Sequence, residues 1–227
     1  MTFKTLIFDL DDTIFDFQKT EYRSLEVIFN SYNIPFEPQY IERYKKINLG
    51  LWHDLEHQKI ERETLLNTRF SLFLESCDQV VDGALVERQY RALLNEGYDL
   101  LPHAHEVLGA LKRQGYVLLA ATNGTKVTQE NRLKVTQIGQ YFDDIFISED
   151  LGVEKPHRAF FETIFQKHSL TNMNEILMIG DSVRADIFGA SQFGIKTAWM
   201  NHLGRENTNP IHDYELTCLS ELAHILQ

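Results

Sequence analysis

The sequence predicts an α/β protein that has a doubly wound, mainly parallel sheet and an inserted all-helical domain. Three observations lead to this prediction. The apolar segment Thr5–Phe8 ends in several aspartates, residues 17–98 show only helical periodicity, and helical and strand-like segments alternate from Leu101 onward. Such alternation is typical of a parallel sheet covered by helices on both faces.

The first predicted strand is Thr5–Phe8, an apolar run suited to burial on both faces of a parallel sheet. Because a core does not tolerate charges, we expect Asp9 and Asp11 at the strand's carboxyl end, where open α/β sheets bind ligands. A polar turn without function is the alternative for this segment alone. A calcium loop of the EF-hand type is excluded, since Ile14 and Thr20 occupy the places of its glycine and glutamate.

Residues 17–98 carry four amphipathic helical patterns and no convincing strand. The first pattern ends at Pro35, and the fourth begins near Asp82, a good N-cap residue. Their apolar positions are Tyr22, Leu25, Phe29, Tyr32, Ile41, Tyr44, Leu51, Trp52, Leu55, Leu65, Leu66, Phe70, Phe73, Leu74, Leu85, Tyr90 and Leu93. We therefore expect a helical bundle at 17–98, inserted like a lid into an α/β core formed by 1–16 and 99–227.

Four strands are predicted in the second half of the chain, with a further edge strand near the end. They are Val117–Ala121, Ile145–Ile147, Ile176–Ile179, Lys196–Met200 and, at the edge, Tyr214–Thr217. The helices that separate or follow them include His103–Gln114, His157–His168, Arg184–Phe193 and Ser220–Leu226. Because the carboxyl ends of parallel strands meet at one edge of a sheet, polar residues that follow these strands should converge.

Composition excludes several classes of function. The chain has 227 residues, of which 43% are hydrophobic and 24% are charged, as in ordinary globular proteins. Its net charge of −11 argues against binding to nucleic-acid polymers or anionic membranes. Cys77 and Cys218 form no zinc pattern and are expected to be buried free thiols. No apolar run has membrane-spanning length and Asp9 interrupts any signal-like segment, so we expect a cytoplasmic enzyme.

Three further strand ends carry polar residues. Thr122-Asn123-Gly124 offers a hydroxyl, an amide and bare backbone, which together could bind phosphate. Lys155 precedes a predicted helix, and Asp181 ends a strand, with Asp186 in the next turn. Each has an ordinary explanation, such as a helix cap or a solvated charge. Together they predict one polar site at a single edge of the sheet.

Charge repulsion sharpens this prediction. Up to four carboxylates would lie close together, those of Asp9, Asp11, Asp181 and Asp186. Two unit charges about 4 Å apart repel by about 4 kcal/mol at an effective dielectric constant near 20. Either a cation is bound or some of these groups take up protons. Carboxylate and carbonyl oxygens suit Mg²⁺, and Lys155 would supply a second positive charge.

The order of these motifs resembles the haloacid dehalogenase-like (HAD) superfamily, specifically its phosphatases, along the whole chain. Asp9-Leu10-Asp11-Asp12-Thr13 matches the first motif, Thr122 the second, Lys155 the third, and Gly180-Asp181 with Asp186 the fourth. The resemblance implies a Rossmann-like HAD core with a helical cap inserted after the first motif. It also implies a phosphomonoester hydrolase that uses Mg²⁺.

The resemblance further implies a role for each residue. Asp9 would attack the phosphorus and form an aspartyl-phosphate, while Asp11 would protonate the leaving alkoxide and then deprotonate water. Mg²⁺ would be held by Asp9, Asp181 and the main-chain carbonyl of Asp11. Asp186 would support the metal site or hold Lys155. The phosphoryl oxygens would be bound by Thr122, Asn123, Gly124 and Lys155.

Other members of the superfamily provide the alternatives. Dehalogenases lack the second aspartate, so Asp11 weakens that alternative, whereas a phosphomutase would keep it. A binding protein of the same fold that no longer catalyses a reaction is a third alternative, which the intact set of polar residues disfavours.

In detail, the chain resembles the pyrimidine 5′-nucleotidases of this superfamily. The matching segments are Asn48-Leu49-Gly50-Leu51-Trp52, Thr68-Arg69-Phe70, Ile147-Ser148-Glu149-Asp150-Leu151-Gly152-Val153-Glu154-Lys155-Pro156 and Trp199-Met200-Asn201. The resemblance implies that nucleoside 5′-monophosphates such as UMP, dUMP and dTMP are substrates. A phosphatase for a small sugar or acid phosphate, such as phosphoglycolate, is the alternative.

Substrate choice is expected to depend on Phe17 and on three residues of the helical domain, Asn48, Trp52 and Arg69. A cavity lined by these side chains could stack a flat base and bind its edge. Arg69 lies on an apolar stripe and therefore needs a partner, which is either a carboxylate of the helical domain or a ligand. The sequence does not predict an oligomeric state.

Overall fold

The computed structural model describes residues 3–206 and 211–226. The chain divides into two compact units, which we call the core unit (residues 1–17 and 98–227) and the helical unit (residues 18–97). None of the described helices is both long and apolar enough to cross a membrane.

The core unit contains a six-stranded, wholly parallel sheet. Its strands are β1 (Thr5–Phe8), β2 (Val117–Thr122), β3 (Asp144–Ile147), β4 (Ile176–Gly180), β5 (Lys196–Met200) and β6 (Tyr214–Leu216). Each begins and ends within one residue of its predicted bounds, and the predicted α/β fold is confirmed. Their order is β3-β2-β1-β4-β5-β6. The chain therefore reverses its direction of travel across the sheet at β1, where α/β sheets form a ligand crevice.

The helices fall into two groups. In chain order they are α1 (Phe17–Ser31), α2 (Pro38–Glu56), α3 (Arg62–Glu75), α4 (Gly83–Leu94), α5 (Ala104–Arg113), α6 (Lys126–Val135), α7 (Ser148–Leu151), α8 (Arg158–Lys167), α9 (Gly189–Ser191) and α10 (Leu222–Ile225). The first four build the helical unit, apart from the first residue of α1, and the others lie in the core unit.

The sheet is buried on both faces, which explains its uninterrupted apolar strands. Side chains of β1 alternate between two clusters, because successive residues of a strand point to opposite faces. Leu6 and Phe8 pack into one cluster with Leu108 of α5, and Ile7 packs into the other with Phe161 of α8. Along β1, a charged residue thus appears only where the strand ends, at Asp9.

Aromatic rings form the centre of the helical unit. Phe29 stacks on Phe73 with ring centroids 4.7 Å apart, and Tyr44 stacks on Phe70 at 5.2 Å. Tyr90 meets the edge of Phe70 at 5.1 Å. These rings come from α1, α2, α3 and α4, so one aromatic cluster joins all four helices.

The predicted inner face of α4 was wrong by one residue. Val86 and Leu94 are buried with Tyr90, whereas Leu85 is 46% exposed and Leu93 is half-buried. Adjacent apolar pairs occur at both ends of this helix, so periodicity alone allowed two faces. The predicted start is confirmed, since Asp82 accepts a hydrogen bond from the N–H of Ala84 at 3.0 Å.

The segment predicted as a regular helix over Arg184–Phe193 begins instead with a π-helical turn, Val183–Phe188. Ser182 O accepts hydrogen bonds from the N–H groups of Asp186 (3.0 Å) and Ile187 (3.2 Å). Such wide turns contain an extra residue and often occur at functional sites. Here the turn accompanies an Asp186 side chain that is 1% exposed.

The two cysteines, Cys77 and Cys218, are free as predicted. Both are half-buried, so the prediction that they are fully buried was wrong.

Candidate active site

Lys155 connects three of the predicted strand ends. Its ammonium Nζ donates to Asp9 Oδ1 (2.8 Å), Asp186 Oδ1 (2.5 Å) and the main-chain carbonyl of Ala121 (2.6 Å). Lys155 is 2% exposed, and burial alone would lower its pKa. The carboxylates of Asp186 and Asp9 outweigh burial and raise the pKa, so Lys155 remains a cation.

Asp9 follows β1 directly and is almost completely buried. Its N–H donates to the carbonyl of Ile179 in β4 at 2.8 Å, which extends the sheet register to the aspartate. Burial raises the pKa of Asp9 well above its ordinary value, Lys155 opposes the rise, and the neighbouring carboxylates of Asp186 and Asp181 add to it. Lys155 alone therefore does not neutralise the site.

Asp181 follows β4, and its side chain is 17% exposed. Burial and then the charges of Asp12 and Asp186 raise the pKa of Asp181 to about 7. Arg205 opposes this rise, since its Nη1 donates to Asp181 Oδ2 at 3.0 Å. The carbonyl of Asp181 accepts a hydrogen bond from the indole N–H of Trp199 at 2.8 Å, which fixes the backbone here.

Three of these carboxylates could bind one metal ion. Asp9, Asp181 and Asp186 each offer an oxygen atom, and the three atoms lie within 4.8 Å of one another. Oxygen donors of this kind suit Mg²⁺. Burial and the neighbouring carboxylates raise the pKa values of Asp9 and Asp181, which favours a cation bound among these groups. The donor set therefore fits the predicted Mg²⁺. Asp186 also accepts from Lys155 and, through Oδ2, from the N–H of Ser182 at 3.0 Å.

Asp11 lies in a tight turn after β1, in which the N–H groups of Ile14 and Phe15 both donate to the carbonyl of Leu10. Its carboxylate faces α6. Oδ1 accepts from Arg132 Nη1 at 2.5 Å, and Oδ2 accepts from Gln129 Nε2 at 2.6 Å. The side chain is 30% exposed, so solvent reaches it.

The predicted phosphate-binding loop follows β2. Thr122 is 1% exposed, and its Oγ1 accepts a hydrogen bond from the N–H of Gly124 at 2.9 Å. The Asn123 side chain clamps the backbone of Lys155, because Oδ1 accepts from Lys155 N–H (2.9 Å) and Nδ2 donates to Lys155 O (2.8 Å). Because its side chain is occupied in these two hydrogen bonds, Asn123 would bind phosphate through its main chain.

Sequence reasoning missed three residues of this site. Gln129 and Arg132 lie three residues apart on the buried face of α6, and a polar pair beside Leu133 on such a face is a signal that could have identified them. Gly124 makes room for Gln129, since a Cβ there would lie 2.0 Å from Gln129 Nε2. The third missed residue is Arg205, which binds Asp181. No sequence pattern around Arg205 indicated this contact.

Among the candidate specificity residues, the structure brings Asn48 and Arg69 together. Arg69 is 3% exposed, its Nε and Nη2 each donate to a different oxygen of Glu87 at 2.7 Å, and its Nη1 donates to Asn48 Oδ1 at 3.3 Å. Its partner is thus a carboxylate of the helical unit. Trp52 is half-buried, with the guanidinium of Arg62 5.5 Å from its ring. Phe17, at the start of α1, is also half-buried.

We expect Arg69→Met to lower the free energy of unfolding by about 3 kcal/mol, because it leaves the buried Glu87 carboxylate without its main partner. Arg91, 3.0 Å from Glu87, limits the loss. Urea unfolding followed by circular dichroism measures the effect. The exposed Arg88→Met is the control and should change stability by less than about 0.5 kcal/mol. A stable Arg69→Met protein with a raised KM would instead indicate contact with substrate.

The sheet topology and the polar strand ends fit the haloacid dehalogenase-like family that the sequence resembles. Residues 6–200 match the family described as haloacid dehalogenase-like hydrolase, and the chain belongs to this family. The predicted family and hydrolase class are thereby confirmed.

Three relatives cover nearly the whole chain. HAD-hydrolase YfnB of Bacillus subtilis is 40% identical over 99% of this chain and 95% of its own. Its magnesium-bound crystal structure has a TM-score of 0.94 and full coverage of both chains. The pyrimidine 5′-nucleotidases PynA of Streptococcus pneumoniae and YjjG of Escherichia coli are 36% and 30% identical. The PynA match covers 97% of both chains, and the YjjG match covers 100% of this chain and 99% of YjjG. The predicted likeness to pyrimidine 5′-nucleotidases is confirmed.

Proposed function

We propose that this protein is a Mg²⁺-dependent 5′-nucleotidase that hydrolyses pyrimidine nucleoside monophosphates such as UMP, dUMP and dTMP through an aspartyl-phosphate. The observation that carries the proposal is the convergence of Asp9, Asp181 and Asp186 around Lys155 at one edge of the sheet. The names of PynA and YjjG support the choice of substrate class.

In the first step, Asp9 acts as the nucleophile. Lys155 holds Oδ1, so we expect Oδ2 to attack the phosphorus, form the new O–P bond and displace the nucleoside alkoxide. Asp11 donates the proton that this alkoxide needs. Covalent catalysis thus divides one difficult displacement into two easier steps.

In the second step, water attacks the phosphorus of the aspartyl-phosphate. Asp11, now ionised, takes the proton from this water, the bond between Asp9 and phosphorus breaks, and inorganic phosphate leaves. The partial exposure of Asp11 suits a group that exchanges protons with both a leaving group and solvent.

Asp9, Asp181 and the main-chain carbonyl of Asp11 would hold Mg²⁺, with Asp186 in support. When bound, the ion supplies positive charge that neutralises the substrate phosphate. The phosphoryl oxygens would be bound by Thr122, Asn123, Gly124 and Lys155, where donors stabilise the charge that develops on them.

We propose that Asn48 and Trp52 of the helical unit recognise the base, with an amide for hydrogen bonding and a ring for stacking. Phe17, in the core unit, is proposed as a further residue that affects substrate choice. Arg69 contributes indirectly by holding Asn48, since its guanidinium already binds Glu87 and Asn48.

A substrate panel tests this function. With Mg²⁺, kcat/KM for UMP or dTMP should exceed that for phosphoglycolate by about 100-fold or more, because a polar pocket rejects substrates that leave its groups unpaired. Addition of EDTA should abolish turnover, and the Asp9→Asn variant provides the blank. A higher kcat/KM for phosphoglycolate than for UMP or dTMP would indicate a small-metabolite phosphatase instead of a nucleotidase. An absence of metal-dependent activity would favour a binding protein.

The affinity for Mg²⁺ should rise with pH up to at least about 7. In the metal-free protein, burial, Asp12 and Asp186 raise the pKa of Asp181 to about 7, so below that pH a bound cation must displace a proton. The logarithm of the association constant should therefore rise by at least about one per pH unit below 7, and the raised pKa of Asp9 adds to this rise.

Isothermal titration calorimetry in two buffers of different ionisation enthalpy counts the protons released. Asp143→Asn, at an aspartate that binds Lys112 on the surface of the core unit, is the matched control and should leave the pH dependence unchanged. An affinity that stays constant between about pH 5.5 and 7 would contradict the proposed proton displacement.

A further inference from the structure

Gln129 and Arg132 form a buried polar pair on α6. Both are 1% exposed, and both end on Asp11. Each donates to a different oxygen of the carboxylate, so two contacts fix both its position and its rotation. Residues three apart share one face of a helix, which is why one element can supply both donors.

The rest of the core unit supports this pair. The Arg132 guanidinium lies 4.2 Å from the ring centroid of Phe15, in the turn that carries Asp11, so a cation–π contact adds to the ion pair. Gln129 occupies space that a Cβ at position 124 would fill. The pair is therefore built into the packing between α6, the turn after β1 and the loop after β2.

The Gln129 side-chain amide is oriented by its contact with Asp11. A carboxylate only accepts hydrogen bonds, so the amide has to present Nε2 to Asp11. This orientation leaves Gln129 Oε1 buried without a hydrogen-bond partner among the described residues, an arrangement that costs stability. The contact with Asp11 thus determines the side chain's conformation.

We propose that Gln129 and Arg132 are positioning residues that hold the Asp11 carboxylate in place for proton transfer. The inference rests on the proposed function, in which Asp11 protonates the leaving alkoxide. Proton transfer needs donor and acceptor within hydrogen-bond reach, and a displacement of about 1 Å can slow an enzyme by about 100-fold.

Two esters with different leaving groups test the proposal. p-Nitrophenolate leaves without a proton, whereas the alkoxide of UMP needs one. In single-turnover experiments with Mg²⁺, Gln129→Leu and Arg132→Met should slow the first turnover of UMP by about 10- to 100-fold. The first turnover of p-nitrophenyl phosphate should stay within about threefold of wild type, and KM for UMP should change little. Arg132→Lys should recover part of the lost rate.

Lys134→Met is the control, because Lys134 is exposed on the same helix and should leave both rates unchanged. A purely structural defect would slow both esters equally, and that result, or wild-type rates in both variants, would overturn the proposal. Gln129→Leu removes no charge, so it serves if Arg132→Met does not fold. Asp11→Asn separates the positioning role of Gln129 and Arg132 from the proton-transfer role of Asp11. A normal UMP rate in Asp11→Asn would contradict the proposed function itself.

Discussion

Asp9→Asn is expected to lower kcat for UMP by about 10⁴-fold or more, because an amide cannot form the aspartyl-phosphate. The variant should still fold. Its amide oxygen can accept from Lys155 as Asp9 Oδ1 does, and one of the crowded negative charges is removed. Steady-state release of inorganic phosphate measures the loss, and thermal unfolding checks the fold.

The matched control for this variant is Asp150→Asn, at an exposed aspartate paired with Lys126, which should keep wild-type turnover. Mass spectrometry of acid-quenched wild-type protein should detect one added phosphoryl group, and this adduct should be absent from Asp9→Asn. An Asp9→Asn protein with more than about one hundredth of wild-type activity would show that another group attacks the phosphorus.

Asp11→Asn is expected to lower kcat by about 10²- to 10⁴-fold, the usual contribution of a general acid and base. Binding of Mg²⁺ should be largely kept, since the proposed ligand at this position is the main-chain carbonyl. The Gln129 amide can rotate and present Oε1 to the new amide N–H₂, so the turn should keep its structure. Calorimetric titration with Mg²⁺ and single-turnover rates for UMP measure the two properties separately.

Equal activity in Asp11→Asn and wild type would remove Asp11 from its catalytic role. Loss of Mg²⁺ affinity together with turnover would instead indicate that the Asp11 carboxylate supports the metal site. Glu130→Gln, at an exposed side chain of α6, is a suitable control. Like Asp11→Asn it removes one negative charge, and it does so on the helix that holds Asp11.

Much of the core could be predicted because its signals are local. Thr5–Phe8 and Ile176–Gly180 are apolar runs that end where charge begins, and a parallel sheet places such ends side by side. The close approach of Asp9 to Lys155, 146 residues apart, follows from topology alone. The order of the motifs along the chain then predicts the family.

The remaining features depend on packing that no local pattern encodes. The π-helical turn over Val183–Phe188 accompanies the contact between Asp186 and Lys155, 31 residues earlier in the chain. Gln129 and Arg132 find their partner Asp11 across 118 and 121 residues. Periodicity also could not choose between two adjacent apolar faces of α4.

The three hydrogen bonds of Lys155 constrain how a substrate can be received. An ammonium has three protons, and the carbonyl of Ala121 and the carboxylates of Asp9 and Asp186 account for one each. A phosphoryl oxygen can be bound only in exchange for one of these acceptors. Asp9 is the natural one to yield, because esterification removes its negative charge. Lys155 would thus exchange its hydrogen bond to Asp9 for one to a phosphoryl oxygen while Asp9 is esterified. It would bind Asp9 again once inorganic phosphate is released.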